Sequence, residues 1–352
     1  MSRIAAVAPV LPEHSYPQEA ITAELAPLIA PSPSRRSVLE RMHASTRIGT
    51  RHTALPLERY RTLESFGEAN DLFIEVATEL GERAVRTALA DAGLTPRDVD
   101  FILFTTVTGI AAPSIDGLLV SRLGLRSDVK RMPSFGLGCV AGASGIARVH
   151  DYLAGHPTEV GVLLSVELCS LTLQRGDETM ANFVASGIFG DGAAAVVMVG
   201  DQRGEPGPAV IATRSSYYPE THDIIGWKMR ASGFEIVLSA GVADVIERYF
   251  PVDVTGFLAD NSLSIGEIDH WIAHPGGPRV LEAFGQALDL PDSAFQPSWD
   301  SLARVGNLSS SSVLHVLADT HPDSAHPDSG SCGLLFALGP GVSAEFVLLE
   351  WM

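Results

Sequence analysis

Three segments of this chain recur, in the same order, in its second half, and that repetition restricts the fold more than any other feature. Leu94-Thr-Pro-Arg-Asp-Val-Asp-Phe-Ile-Leu-Phe-Thr105 shares its polarity pattern with Leu263-Ser-Ile-Gly-Glu-Ile-Asp-His-Trp-Ile-Ala-His274. Gly138-Cys139 opens one helical pattern as Gly306-Asn307 opens another, and Gly190–Val199 matches Gly339–Leu349. The offsets are 169, 168 and 149 residues. Ordered recurrence of this kind implies two copies of one supersecondary unit.

The unit is α/β. Phe73, Val76, Leu80, Ala84, Ala88 and Leu89 have the spacing of an amphipathic helix over residues 72–92, and Gly93 is its stop. Val99–Thr106, Val160–Val166 and Ala193–Val199 are apolar runs of strand length. Their alternation with helices predicts a layered fold with buried, largely parallel strands. Gly200–Pro208, rich in Gly, Pro and charge, predicts a boundary between a half at residues 1–200 and a half at residues 209–352. Thr320–Gly330, in which His321 and His326 sit in a repeated His-Pro-Asp-Ser, is expected to be a loop.

Charge and cysteine usage exclude several classes. With 24 basic and 42 acidic residues the net charge is −18, which argues against nucleic-acid binding. Bases gather locally at Arg35, Arg36, Arg41, Arg47 and Arg51, a set that suits an anionic ligand or a solvated face. Cys139, Cys169 and Cys332 form no CxxC pair, which points to a reducing, cytoplasmic compartment. Prolines interrupt the first twelve residues, so no signal peptide is expected. No run of about 18 apolar residues predicts a membrane span. No metal motif, P-loop or dinucleotide fingerprint is present, since Gly190-Asp-Gly192 precedes a strand rather than a helix.

Two halves related by a pseudo-twofold axis bring equivalent positions together. Cys139 and Asn307 are equivalents at helix starts, and His274 ends a strand of the second copy, so the three are expected to converge. A helix N-terminus favours a thiolate, and the glycines around Cys139 permit close approach of a substrate. For that segment alone, a buried structural cysteine is the plainer alternative. A thiolate nucleophile needs a base, and a developing oxyanion needs donors. Histidine and the neutral amide of asparagine supply both. Such a set suits papain-like amide hydrolysis. It suits equally acyl capture followed by decarboxylative carbon–carbon bond formation.

These residues resemble the type III polyketide synthases, the chalcone- and stilbene-synthase-like enzymes of the thiolase superfamily. The matching signatures are Gly138-Cys139, Gly187-Ile-Phe189-Gly-Asp-Gly-Ala-Ala195, Trp271-Ile-Ala-His274-Pro-Gly-Gly-Pro278, Gly306-Asn307-Leu-Ser-Ser310 and Gly339-Pro340-Gly341, spread over residues 35 to 352. The resemblance implies a thiolase-like duplicated αβαβα fold and a homodimer with no cofactor beyond its acyl-CoA and malonyl-CoA substrates. It implies that Cys139 takes the starter acyl group, and that His274 and Asn307 hold the enolate formed as malonyl-CoA loses CO₂. Phe189 resembles the aromatic gatekeeper between CoA tunnel and cavity. A second gatekeeper falls on or beside Ile236, with Phe234 nearby, and Gly339-Pro340-Gly341 resembles the loop that shapes the cavity. Of three basic contacts to CoA phosphates only Arg41 is retained, the others falling on Val38 and Ser45. Arg35, Arg36, Arg47 and Arg279 are substitutes.

Thr108, Ala112 and Cys169 fall on cavity-wall positions, and these small side chains resemble those of bacterial alkylpyrone and alkylresorcinol synthases. A fatty acyl starter is therefore expected. The rival in the same superfamily is an initiating ketoacyl-ACP synthase, which would carry His-Gln-Ala-Asn where this chain has His274-Pro-Gly-Gly277. A papain-like protease lacks support, because the tryptophan-containing sequence around its cysteine is absent.

Overall fold

Strands that are apolar on both faces need cover on both sides, and that requirement organises the computed structural model, which describes residues 1–320 and 328–351. Most of the expected late loop, with His321 and His326, lies outside the described residues. The first part of the chain runs β1 Ser2–Val10, β2 His14–Pro17, α1 Gln18–Ile29, α2 Pro33–Ala44, β3 Thr50–Thr53, α3 Phe66–Asp91 and β4 Phe101–Thr106. It continues with α4 Ile115–Leu123, β5 Lys130–Phe135, α5 Ala141–Gly155, β6 Val160–Leu168, α6 Met180–Ile188 and β7 Asp191–Gly200. Then come β8 Ala209–Tyr217, β9 Ile225–Arg230, β10 Gly233–Leu238, α7 Val242–Asp260, β11 His270–Ala273 and α8 Pro278–Leu288. Last are α9 Gln296–Val305, α10 Ser312–Asp319, β12 Cys332–Gly339 and β13 Ser343–Glu350.

The large sheet has the order β11-β12-β13-β8-β1-β7-β6-β4-β5. Its two wings meet at β1 and β8, where Ser2 pairs with Val210 and Arg3 with Ala209, and Ile4 N donates to Pro208 O (2.9 Å). Outward from that seam, β1-β7-β6-β4 is matched by β8-β13-β12-β11, with the same parallel and antiparallel sense at each step. The duplication extends to detail. A single turn precedes each outer strand, closed by a capping box of Thr95 with Asp98 and of Ser264 with Glu267, both with N–H···O at 2.8 Å and O–H···O at 2.7 Å.

Side-chain alternation divides the core into three. Ile102, Phe104, Val162, Leu164, Ala195 and Val197 face α3. Their sequence neighbours Leu103, Leu163 and Val196 face the other way, and share one core with α5, α10 and the inner face of the second wing at Ile272, Leu335 and Val347. Leu334, Phe336, Phe346 and Leu348 point outward again, against α7 and α8. The layers are therefore α3, first wing, α5 with α10, second wing, α7 with α8: the duplicated αβαβα arrangement.

Two expectations are corrected. Only the β11–β12, β4–β5 and β4–β6 pairs are parallel; the remaining neighbours in the sheet are antiparallel. Continuous apolar runs reflect burial on both faces, which the five layers impose whatever the strand direction. Helix α3 starts at Phe66 rather than at residue 72, because the Ser65 hydroxyl caps it by accepting from Glu68 N (3.2 Å). Among the described residues no helix is long and apolar enough to cross a membrane.

The central layer depends on glycine. A Cβ on Gly142 would sit 2.3 Å from the Ser310 carbonyl oxygen and 2.8 Å from Val313, so α5 and the start of α10 approach as closely as backbones allow. Gly142→Ala should cost about 1–3 kcal/mol, the usual range for overpacking. Gly155→Ala, where a Cβ meets nothing within 4 Å, should leave stability unchanged or slightly raised. Urea midpoints of the two variants check this.

Candidate active site

The turn that carries Cys139 is built by close packing. Gly138 has φ of 59°, and a Cβ there would lie 2.6 Å from Pro340 Cδ. Gly339 is equally confined, against the Leu137 carbonyl and Val140 N. Gly339-Pro340-Gly341, between β12 and β13, is thus seated on the turn that carries Cys139, immediately before α5.

Cys139 Sγ donates to Ser309 Oγ at 3.7 Å. Ser309 belongs to the Asn307 turn, whose amide is fixed at both ends. Asn307 Oδ1 accepts from Ser309 N (2.8 Å) and Ser312 Oγ (3.3 Å), while Nδ2 donates to the Gly276 carbonyl (3.1 Å). One Nδ2 hydrogen is left for a ligand. Gly276 lies two residues beyond His274, which follows β11 and whose backbone N–H reaches Phe336 O on β12 (2.9 Å). The loops bearing Cys139 and His274 are thereby both tied to the Asn307 turn. His274 is buried, and neither ring nitrogen has a hydrogen-bond partner among the described residues.

The electrostatics differ from the sequence expectation. Burial pushes the Cys139 thiol up to about 12; the Ser309 bond opposes this and the nearby Glu167 adds to it. Burial alone holds His274 down at about 3. Desolvation outweighs the helix N-terminus, so neither charged form is favoured by itself.

Glu167 was not singled out by the sequence reading. It is wholly buried and accepts from Thr106 Oγ1 (3.2 Å), Val107 N (3.0 Å), Thr108 Oγ1 (3.0 Å) and the Ser310 hydroxyl. Burial raises its carboxyl pKa, against these four donors. The signal was legible as a lone acid in Val160–Leu168, whose other residues carry no charge. Thr108 is accordingly a ligand of Glu167, and its hydroxyl also accepts from Leu168 N (2.9 Å).

Phe189 is held against the catalytic turn: it bridges Asn307 in parallel fashion, Asn307 N donates to Ile188 O (2.8 Å) and Gly190 N to Asn307 O (2.9 Å). Its ring lines a cavity together with Cys169, Trp227, Phe234, Ile236 and Arg51. Ile236 and Phe234 both face this space, from the β9–β10 hairpin. Ala112 is not brought there. It lies exposed on the loop after β4, in a cis bond to Pro113. Arg41 stands exposed on α2, as Arg279 does at the start of α8. Arg35 pairs with Glu178, Arg47 with Glu282, and Arg36 donates to the Ala30 and Pro31 carbonyls. Arg51, grouped with these by sequence, instead points inward and is 3% exposed.

Comparison with known proteins agrees with this architecture. Residues 2–202 match the family profile described as chalcone and stilbene synthases, N-terminal domain, and residues 209–352 match the C-terminal domain. A 1,3,6,8-tetrahydroxynaphthalene synthase of Streptomyces peucetius subsp. caesius is 52% identical over 351 residues, covering 99% of this chain and 93% of that protein. An alpha-pyrone synthesis polyketide synthase-like protein of Mycobacterium tuberculosis H37Rv is 31% identical over 328 residues, 90% of this chain and 83% of the relative. The crystal structure of the tetrahydroxynaphthalene synthase of Streptomyces coelicolor A3(2) superposes with a TM-score of 0.94 at 29% identity, covering 99% of both chains.

If His274 is the acceptor that lets Cys139 ionise, His274→Ala should slow iodoacetamide alkylation of Cys139 at pH 7 by about tenfold or more. The rate should then climb as pH rises toward the raised thiol pKa. Alkylation as fast as in the wild type at pH 7 would remove His274 from that role.

Proposed function

We propose, for a chain that belongs to the chalcone and stilbene synthase family, that malonyl units alone are its substrates and a polyhydroxylated naphthalene its product. At the family level the chain is a type III polyketide synthase, an acyltransferase that condenses malonyl-CoA. The similarity to a tetrahydroxynaphthalene synthase over nearly its whole length carries the finer reading. The carbon count is consistent with it. Five malonyl-CoA that lose five CO₂ and five CoA thiols leave ten carbons with oxygen on alternate positions, and loss of one water closes the second ring. The cavity wall is mainly apolar, with Ile21, Leu25 and Leu173 beside the aromatic residues, and Arg51 is the lining side chain that could meet a polar group of the chain.

In this reading Cys139 attacks the starter thioester carbonyl and expels CoA, the proton passing to His274. A second malonyl-CoA then presents its thioester oxygen to His274 and to the free N–H of Asn307. CO₂ leaves, and the enolate so stabilised attacks the acyl carbon on Cys139 and releases the sulfur. Loss of one such donor should cost about 10²–10³-fold in condensation for Asn307→Ala.

The long-chain pyrone reading keeps one observation in its favour, the similarity to the alpha-pyrone synthesis protein, and Cys169 offers little bulk in the cavity wall. Purified protein given malonyl-CoA alone should release a C₁₀H₈O₄ product. Product only when a fatty acyl-CoA is added, with Cys169→Phe then shifting preference to short starters, would establish the pyrone reading instead.

We propose also that the chain is a homodimer. β5 is an edge strand with its side chains largely exposed, and Ile110, Met132, Phe135 and Leu137 form uncovered apolar surface beside it. A second copy would cover this edge and the Ala112 loop. Light scattering should give twice the 37.3 kDa chain mass, and a monomer mass at micromolar concentration would contradict it.

A further inference from the structure

Arg51 has more donors than the protein satisfies. It sits on β3, buried, with Nε donating to Gln18 Oε1 (2.8 Å) and Nη1 donating to the carbonyls of Ser186 (2.8 Å) and Phe189 (2.6 Å). Nη2 is buried and has no hydrogen-bond partner among the described residues. The side chain lines the cavity behind Phe189, beside Cys169 and Ser170. Its stem passes under the catalytic turn: a Cβ on Gly306 would meet Arg51 Cγ and Cδ at 3.1 Å.

No carboxylate among the described residues cancels this charge at contact distance. Asp191 is near enough to act through space, but its oxygens take Ala54 N (2.6 Å), Ser170 N (2.8 Å) and the Ser170 hydroxyl, and it forms no ion pair with Arg51. Burial lowers the guanidinium pKa to about 10, Asp191 opposing, so the group is charged at neutral pH. The neighbouring His43 adds no charge there, since burial and Arg51 hold it near 3. A desolvated cation with an open donor is costly unless an anionic or strongly polar group completes it.

We propose that Arg51 Nη2 receives the distal carboxylate of a ketide chain begun on malonate, and so selects a carboxylate-bearing starter over a neutral one. This rests on the reading that malonyl-CoA is the starter. The carboxylate lies at the end of the chain remote from Cys139, and in this proposal that end passes Phe189, which bridges Asn307 on one side and lines the Arg51 cavity on the other. Nη1 and Nε act differently. Nη1 steadies the aromatic wall through the Phe189 carbonyl while Nε anchors the guanidinium on Gln18, and Arg51 is to that extent a positioning residue.

The test is an internal competition. Malonyl-CoA and hexanoyl-CoA are supplied together, and the malonyl-only and hexanoyl-primed products are quantified in one vessel. Their ratio cancels any loss of active protein. Arg51→Lys keeps a cation for the Ser186 and Phe189 carbonyls but removes the planar fork. Cys169→Asp removes none of Arg51's own bonds and adds a competing carboxylate to the cavity wall that Arg51 also lines. Loss of a charge-assisted hydrogen bond corresponds to about 10- to 100-fold, so the malonyl-only share should fall by at least about tenfold in both variants. A ratio unchanged in both would overturn the role of Arg51 while leaving the malonyl reading standing. A wild type that forms no malonyl-only product would remove that reading, and this inference with it.

Discussion

The close approach of α5 and α10 at their starting ends is the constraint on which the rest depends. Gly142 lets the two backbones meet at Ser310 O, and hydroxyls complete the contact: Ser165 Oγ lies 2.8 Å from Ser310 Oγ and 2.7 Å from Ser311 Oγ. Because the halves are duplicates, the positions that meet are equivalents, Cys139 from one and Asn307 from the other. His274 arrives through the outer strand of the second wing. Under the proposed function a nucleophile and its oxyanion donors thus come from separate halves of the chain, and core packing beneath their loops sets their relative position.

The buried polar groups around that contact divide into two kinds. Glu167 is filled by four donors and holds geometry, and Asn307 is fixed at both ends while keeping one Nδ2 hydrogen for a ligand. His274 and Arg51 Nη2 are unfilled. Unsatisfied buried donors and acceptors are rare in native proteins, and at a reaction centre they mark where substrate atoms complete the network. Burial disfavours either charge alone, on Cys139 or on His274, and under the proposed function substrate atoms supply the partners for charges that develop during reaction.

Much of this was legible in the sequence, for reasons that differ by residue. The duplication could be read because polarity pattern survives where identity does not, and the twin capping boxes at Thr95 and Ser264 show why the repeats align. Cys139 and Asn307 stood out as equivalent positions at helix starts, His274 as the end of a strand in the second copy, and the motifs around all three carried the family resemblance. Strand direction was not legible, since burial on both faces erases the alternation that would reveal it. Arg51 was hidden among surface arginines because its burial depends on Gln18 and the Ser186–Phe189 carbonyls, contacts more than thirty and more than a hundred residues away in sequence. Ala112 illustrates the opposite limit: a motif aligns it with a cavity wall, yet within one chain it faces outward.

The central claim is that the two halves supply separable chemistry, nucleophile from one and enolate site from the other. Release of CO₂ from malonyl-CoA, measured in Cys139→Ala and in Asn307→Ala, tests it most directly. Cys139→Ala should still release CO₂ while forming no condensation product, and Asn307→Ala should lose CO₂ release as well as condensation. Decarboxylation abolished in Cys139→Ala, or unimpaired in Asn307→Ala, would contradict the account.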